Sequence, residues 1–250
     1  MARVPAAGNA MRILTTLASS RGPLAAVALA TGLGLPRSSV YQLLEEMAEH
    51  GFVLHYPEER RWGLGPSAFE LGGGYARQQP LARLGRPVLD ALVDRVGESG
   101  HLAVLSGTDV LYLAEERAPR RPSLVTDVGV RLPAHLTATG RALLAGLPRE
   151  QVRALYPDAT AFAARGTDEW TYRRLSVVLE RVRETGVAEE RGEVTPNLAS
   201  VGSAIRDRTG WPVAAIALTF NQEATDSVRV EALGTAVRDA AAALERRIRT

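Results

Sequence analysis

The 250-residue chain contains no cysteine and no lysine. Without cysteine it can form neither a disulfide framework nor a thiolate metal site. No apolar run approaches the roughly 18 residues that a membrane-spanning helix needs, and no export signal follows Arg3. These absences exclude a disulfide-stapled secreted fold and an integral membrane protein, and they favour a cytoplasmic location.

All 30 basic residues are arginine, yet the formal net charge is only +2. Any contact between a basic side chain and phosphate would therefore be made by a planar guanidinium group, which can bind through two hydrogen bonds, although compositional bias of the coding DNA is the simpler explanation for the missing lysine. Bulk charge does not indicate a nucleic-acid partner, because the first 75 residues hold six Arg and six Glu. The positions of the arginines are more informative than their number.

Three amphipathic segments and a turn open the chain. Apolar spacing predicts helices over 10–19, 24–31 and 36–50, with a turn at 31–34 between the second and the third. Gly51 is typical of the left-handed residue that ends a helix. This order is that of a helix-turn-helix.

A β-hairpin follows the third helix. Residues 52–56 and 61–64 have strand patterns, and 57–60 form the turn, so the hairpin would be the wing of a winged helix-turn-helix. Taken alone, the third helix would be an ordinary helix with a solvated polar face. Together with the preceding turn and the wing, its polar leading end favours contacts to bases and phosphates in DNA. The candidate DNA-binding residues are Arg37, Ser38, Ser39, Tyr41, Gln42, Arg60 and Arg61.

The remainder of the chain is predicted to form a second domain. We expect a DNA-binding domain over 1–66, a linker helix softened by three consecutive glycines over 67–86, and a larger domain over 87–250. Antiparallel hairpins with helices at both ends indicate an α+β domain, in which helices cover one sheet. The predicted elements are a helix over 87–96, hairpins turning at 107–109 and 207–210, a strand over 124–128, a short helix over 139–145, a long helix from a Thr167 cap to Gly186, and a final helix from Thr225.

Three stretches of this sequence resemble the IclR family of bacterial transcription regulators. They are GLPRSSVYQLL (34–44), LPAHLTATGRALLA (132–145) and VRETGVAEERGEVTPNLASVGSAIRDRTGWPVAAIALT (182–219). The resemblance covers nearly the whole chain, roughly residues 9 to 248, and Gln42 departs from it because the family usually has Arg there. It implies a GAF-like effector-binding fold for the second domain.

The resemblance also implies a ligand pocket on the concave face of the sheet. The loop before the short helix would offer backbone N–H groups, and a helix N-terminus favours anions on physical grounds as well. Carried over position by position, the effector-binding residues are Leu124, Ala138, Thr139, Gly140, Glu190, Ser200, Ala217 and Thr219.

Several of these residues have a structural alternative or depart from the family. Thr137 and Thr139 could simply cap the helix that follows, Glu190 could pair with Arg191 or Arg206, and Ser200 could be a satisfied core hydroxyl. Glu190 stands where some relatives have Asp, Ser200 replaces a thiol, and Ala217 lacks a hydroxyl. A hydroxylated or amine-bearing metabolite therefore suits the pocket as well as a carboxylate does.

The resemblance implies a ligand-responsive transcription regulator that binds double-stranded operator DNA as a homodimer or a dimer of dimers, without cofactor or metal. An enzyme is disfavoured, because the chain has no Gly-x-Ser-x-Gly elbow and no His-x-x-x-His pair, and its four His are scattered. A third possibility is an assembly module whose winged helix contacts protein. Salt-sensitive DNA binding separates that module from the regulator.

Overall fold

The chain folds into two compact units, Met1–Gln79 and Pro80–Thr250. The computed structural model describes residues 4–20, 22–71, 80–119, 127–162 and 170–249. The first unit has one apolar core and the second has two. No helix within those described ranges is both long and apolar enough to cross a membrane.

The first unit is a three-helix cluster with a small antiparallel sheet. Its strands are arranged in the order β1-β3-β2. The elements are α1 (Pro5–Ser19), β1 (Leu24–Ala25), α2 (Ala26–Leu33), α3 (Arg37–Glu49), β2 (Val53–Tyr56) and β3 (Arg61–Leu64), followed by helical residues 66–71, which belong to α4.

Helix α3 and the hairpin confirm the sequence prediction, whereas the starts of α1 and α2 correct it. Helix α1 begins at Pro5 rather than at residue 10, because proline has no N–H to lose in a first turn. Leu24 is not helical but pairs with Trp62 in the sheet. The turn follows Gly34, whose φ is +65°, and not residue 31.

The described residues of the second unit form one six-stranded antiparallel sheet. The strands are arranged in the order β6-β5-β4-β9-β8-β7. The elements of this unit are α5 (Pro80–Val96), β4 (Ser99–Ser106), β5 (Asp109–Glu116), β6 (Arg131–Pro133), α6 (Ala138–Gly146), α7 (Arg149–Leu155), α8 (Tyr172–Thr185), β7 (Ala188–Arg191), β8 (Leu198–Arg206), β9 (Pro212–Asn221) and α9 (Ser227–Arg249).

Helices cover both faces of this sheet, which confirms the α+β class. On one face α5 and α9 bury Leu89 and Leu233 in a core shared with Ile216 of β9. On the other face α6 and α8 bury Leu143 and Leu175 in a second core. Full burial of each such side chain stabilises the fold by about 1.5–3 kcal/mol.

Three predictions for the second unit need correction or fall outside the described residues. The helix predicted over 87–96 begins at Pro80, and Pro87 lies inside it without ending it, since the apolar face of α5 packs against α9 and the sheet. The long helix α8 is capped by the Thr171 hydroxyl, which accepts the Arg174 N–H at 3.2 Å. It ends at Gly186 as predicted.

Thr167 and most of the strand predicted over 124–128 lie outside the described residues. Val128, the last residue of that predicted strand, lies in a turn. The edge strands β6 and β7 were not predicted, because each is too short to show the alternation that identifies a strand.

Candidate functional site

The leading end of α3 is a polar surface on an apolar support. Arg37, Ser38, Tyr41 and Gln42 are exposed and Ser39 is half-buried. The opposite side of the helix is anchored in the core by Val40, Leu44 and Met47. Pro36 precedes the helix and no side chain caps it, so its first N–H groups and the positive end of its dipole face outward.

The hairpin beside α3 holds its two arginines differently. Arg60 lies in the turn with a φ of +52° and is exposed. Arg61 is also exposed, but its guanidinium donates a hydrogen bond to the Pro23 carbonyl at 3.3 Å. Trp62 stacks on its cross-strand partner His55 with ring centroids 4.4 Å apart, and its burial in the core attaches the hairpin to the unit. Arg60 is therefore the more available cation of the wing.

A cavity of ≈ 30 Å³ lies on the sheet of the second unit, at the N-terminus of α6. The structure brings six of the eight predicted effector residues together around it. The six residues are Ala138, Thr139, Glu190, Ser200, Ala217 and Thr219.

Leu124 lies outside the described residues, and Gly140 does not line the cavity. The Gly140 N–H donates to the Thr137 hydroxyl at 3.0 Å, so Thr137 is the cap of α6. A Cβ at Gly140 would lie 2.2 Å from the Ala134 carbonyl oxygen. The glycine therefore lets the start of α6 pack tightly against the preceding turn.

Sequence reasoning missed other residues of the cavity wall. His101 and Tyr112 come from β4 and β5, and Val194 and Thr195 come from the loop after β7. The alternating pattern of β4 and β5 marks inward positions, but it does not distinguish a cavity wall from a packed core. The irregular loop has no periodic signal at all.

The strand register aligns the polar residues of the cavity in one row. Glu190 of β7 faces Ser200 of β8, and Ser200 faces Thr219 of β9. The Ser200 hydroxyl donates to Glu190 Oε1 at 2.9 Å and lies 2.9 Å from the Thr219 hydroxyl, which is 3.1 Å from His101 Nε2. No described arginine forms a salt bridge with Glu190: Arg191 pairs with Glu189, and the guanidinium of Arg206 donates to the Gly210 carbonyl.

Burial shifts the titration of the groups at both ends of this row. Glu190 is 3% exposed. Desolvation raises the pKa of its carboxyl to about 7, although the hydrogen bond from Ser200 lowers it. The nearby charge of Glu193 raises this pKa further. Desolvation, aided by Arg117, lowers the pKa of His101 to about 4, so this imidazole is neutral at pH 7.

Arg141 on α6 connects the elements around the cavity. Its side chain is buried and donates to the carbonyls of His135 and Glu189. It also pairs with Glu193 at 2.7 Å and lies 4.9 Å from the Trp170 ring centroid. Burial opposes ionisation of Glu193, but the charge and hydrogen bond of Arg141 outweigh it and lower the pKa of this carboxyl. Arg141 thus holds the loop that carries one wall of the cavity.

His135 lies behind this wall in an aromatic cluster. It is 1% exposed, and neither ring nitrogen has a hydrogen-bond partner among the described residues. Its ring meets the edges or faces of Tyr156, Phe162 and Trp170 at centroid distances of 5.2–5.8 Å. Burial, with the charge of Arg141, lowers the pKa of His135 to about 4.

We predict that His135→Leu reduces the acid sensitivity of the fold. The unfolded chain binds a proton at this residue near pH 6.5 and the folded chain only near pH 4, so acidification through that window costs stability. Between pH 7 and pH 5 the loss attributable to His135 is about 2 kcal/mol. Denaturant unfolding at both pH values measures it, with exposed His50→Gln as the control. An unchanged pH dependence in His135→Leu would contradict the assignment.

Two family models match the chain. The model described as IclR helix-turn-helix domain matches residues 6–55. The model described as bacterial transcriptional regulator IclR C-terminal matches residues 73–246.

Named relatives and solved structures match over nearly the full length. The glycerol operon regulatory protein of Streptomyces coelicolor is 31% identical over 241 residues, covering 95% of this chain and 94% of that protein. The acetate operon repressor of Salmonella typhimurium is 29% identical, covering 92% and 85%. An IclR transcriptional regulator from Alicyclobacillus acidocaldarius superposes with a TM-score of 0.82 at 21% identity, covering 98% and 99%. An IclR homologue from Microbacterium hydrocarbonoxydans, solved with 4-hydroxybenzoate, gives 0.78 at 22%, covering 97% and 98%.

Proposed function

Because the chain belongs to the IclR family of bacterial transcriptional regulators, we propose that it binds a two-fold operator as a homodimer or a dimer of dimers. It is a transcriptional regulator with a helix-turn-helix DNA-binding domain and a C-terminal effector-binding domain. A symmetric dimer presents two identical helices, so its operator is a palindrome or a near-palindrome.

The observation that carries the DNA-binding proposal is the exposed leading end of α3. Arg37 and Gln42 have the groups that pair with base edges in the major groove, and Ser38 and Ser39 are short donors suited to phosphate. The buried back of the helix fixes the direction in which these side chains project. The uncapped N-terminus of α3 adds a positive dipole towards the DNA backbone.

We place the effector in the cavity at the N-terminus of α6. The cavity combines the N–H donors of the first turn of α6 with a buried carboxyl. The bound effector regulates DNA binding by favouring one arrangement of the paired DNA-binding domains over another.

The test of the proposed function is operator binding with and without small metabolites. We expect the full chain to shift fragments of the intergenic DNA beside its own gene, with an affinity that falls as salt rises. A compound that raises the melting temperature should also change this affinity. Failure to bind any such fragment at low salt would contradict the DNA-binding proposal.

The two wing arginines should differ in their effect on DNA binding. Arg60→Ala is expected to weaken binding to all sequences alike and to reduce the slope of log affinity against log salt by about 1 for each phosphate that is no longer neutralised. Arg61→Ala should weaken binding less, because Arg61 already donates to Pro23. Fluorescence anisotropy over a salt series measures both. A larger effect of Arg61→Ala would show that it, and not Arg60, is the residue that binds phosphate.

A further inference from the structure

When Glu190 is ionised, the hydrogen bonds of the cavity have a single direction. A serine hydroxyl has one proton, and that of Ser200 is donated to Glu190. The bond between Ser200 and Thr219 must then be donated by Thr219. Thr219 in turn accepts from Nε2–H of the neutral His101. Each group in this row therefore donates a hydrogen bond to the next, in the order from His101 to Glu190.

One wall of the cavity consequently presents acceptors only. Ser200 and Thr219 retain lone pairs but no free proton. Glu190 Oε2 is buried and has no hydrogen-bond partner in the described part of the chain. A buried, unsatisfied carboxylate oxygen is unfavourable, and a ligand group that donates protons would satisfy it.

The start of α6, which also lines the cavity, presents donors. The N–H groups of Ala138 and Thr139 are the first two of the helix and have no acceptor within it. The next N–H, that of Gly140, donates a hydrogen bond to the Thr137 hydroxyl, which caps the helix. An anionic ligand group is therefore favoured at this position by the free N–H groups and the helix dipole.

Resting on the proposed effector function of this cavity, we infer that the effector is a short amino acid whose carboxylate meets the N-terminus of α6 and whose ammonium group meets Glu190. An oxo acid has hydrogen-bond acceptors at both ends, so it could not donate a hydrogen bond to the acceptor wall. A hydroxy acid donates one proton but brings no positive charge to offset a buried carboxylate. An ammonium group supplies three donors and the countercharge.

The lining of the cavity bears on the side chain of the amino acid. Val194, Leu198 and Ala217 give part of its wall an apolar surface, which suits a small apolar side chain better than a charged one. Glycine and alanine are the matched probes, each compared with the hydroxy and oxo acid of the same carbon skeleton.

The inference also fixes the sign of the pH dependence. The titratable groups around Glu190 in the described structure are Glu193 on the following loop, Arg141 on α6, His101 on β4 and Tyr112 on β5. Between pH 6 and pH 8 Glu193, whose pKa is lowered, stays ionised and His101, whose pKa is lowered to about 4, stays neutral. Glu190, with a pKa of about 7, ionises over that range. An ammonium ligand requires the ionised form, so its affinity should rise about tenfold from pH 6 to pH 8.

Isothermal titration of the full chain tests the inference with six compounds, namely glycine, glycolate and glyoxylate, and alanine, lactate and pyruvate. We expect one amino acid to bind at least about tenfold more tightly than its hydroxy and oxo counterparts. Its affinity should fall about 30-fold or more in Glu190→Gln. It should not change in Glu189→Gln, the neighbouring exposed carboxylate on the other side of the strand.

Two results would overturn the inference. In the first, an oxo acid binds most tightly and its affinity rises as the pH falls, so that protonated Glu190 acts as a donor. In the second, neither amino acid binds. Operator binding by the ligand-free protein is measured in parallel, which separates these failures from a failure of the proposed regulator function. Should Glu190→Gln not fold, the pH dependence of the unmodified protein decides the question.

Discussion

Replacing Arg37 with alanine is expected to lower the affinity for the operator by about 1–3 kcal/mol per half-site, roughly 5- to 150-fold. The side chain is exposed at the first position of α3, and its guanidinium is the group that recognises guanine through two parallel hydrogen bonds. A symmetric dimer makes this interaction in both half-sites, so the effect on a palindromic operator counts twice. Anisotropy with a labelled operator fragment measures the change.

Two controls separate base recognition from general attraction to DNA. Arg37→Lys keeps the charge but not the planar fork, so it should lose most of the sequence preference while retaining non-specific binding. Arg173→Ala removes an exposed arginine of α8 in the other unit and should leave the affinity unchanged. If Arg37→Ala weakens binding to operator and random DNA equally, then Arg37 contacts phosphate rather than a base.

Sequence reasoning predicted well the helices that begin or end at a proline or at a glycine with positive φ. Helix α3 lies between Pro36 and the left-handed Gly51, and α8 ends at Gly186 with a φ of +72°. These residue types act locally, through a fixed φ or an accessible positive φ. Strand β1 contains no proline or glycine of this kind. Leu24 and Ala25 are extended because they pair with β3, a partner more than 30 residues away, and this tertiary contact overrides local preference.

The candidate pocket could be predicted only through the family resemblance. Glu190, Ser200 and Thr219 lie in three separate strands, and only the register of those strands places them in one row. Nothing in the local sequence sets that register, since a shift of one residue would turn Ser200 to the opposite face. The direction of the hydrogen bonds, and with it the acceptor wall, depends further on His101 of a fourth strand.

Arg141→Ala should destabilise the second unit by about 3 kcal/mol, the lower end of the range for breaking a buried ion pair, because it leaves the half-buried carboxylate of Glu193 without its countercharge. The substitution also removes the hydrogen bonds to the carbonyls of His135 and Glu189 and the contact with Trp170. Chemical unfolding followed by far-ultraviolet circular dichroism measures the loss of stability. Effector binding should weaken as well, since the loop held by Glu193 carries Val194 and Thr195 of the cavity wall.

Arg191→Ala provides the matched control, because its pair with Glu189 is exposed on both sides. Such a pair contributes about 0–1 kcal/mol, so the two arginine variants should differ by several-fold in destabilisation. The double variant Arg141→Ala with Glu193→Gln removes the uncompensated charge as well. It should recover part of the stability, with a coupling free energy of about 0.5–3 kcal/mol. A cost for Arg141→Ala no larger than that of Arg191→Ala would mean that the loop is held by its own backbone. The cavity wall would then be independent of Arg141.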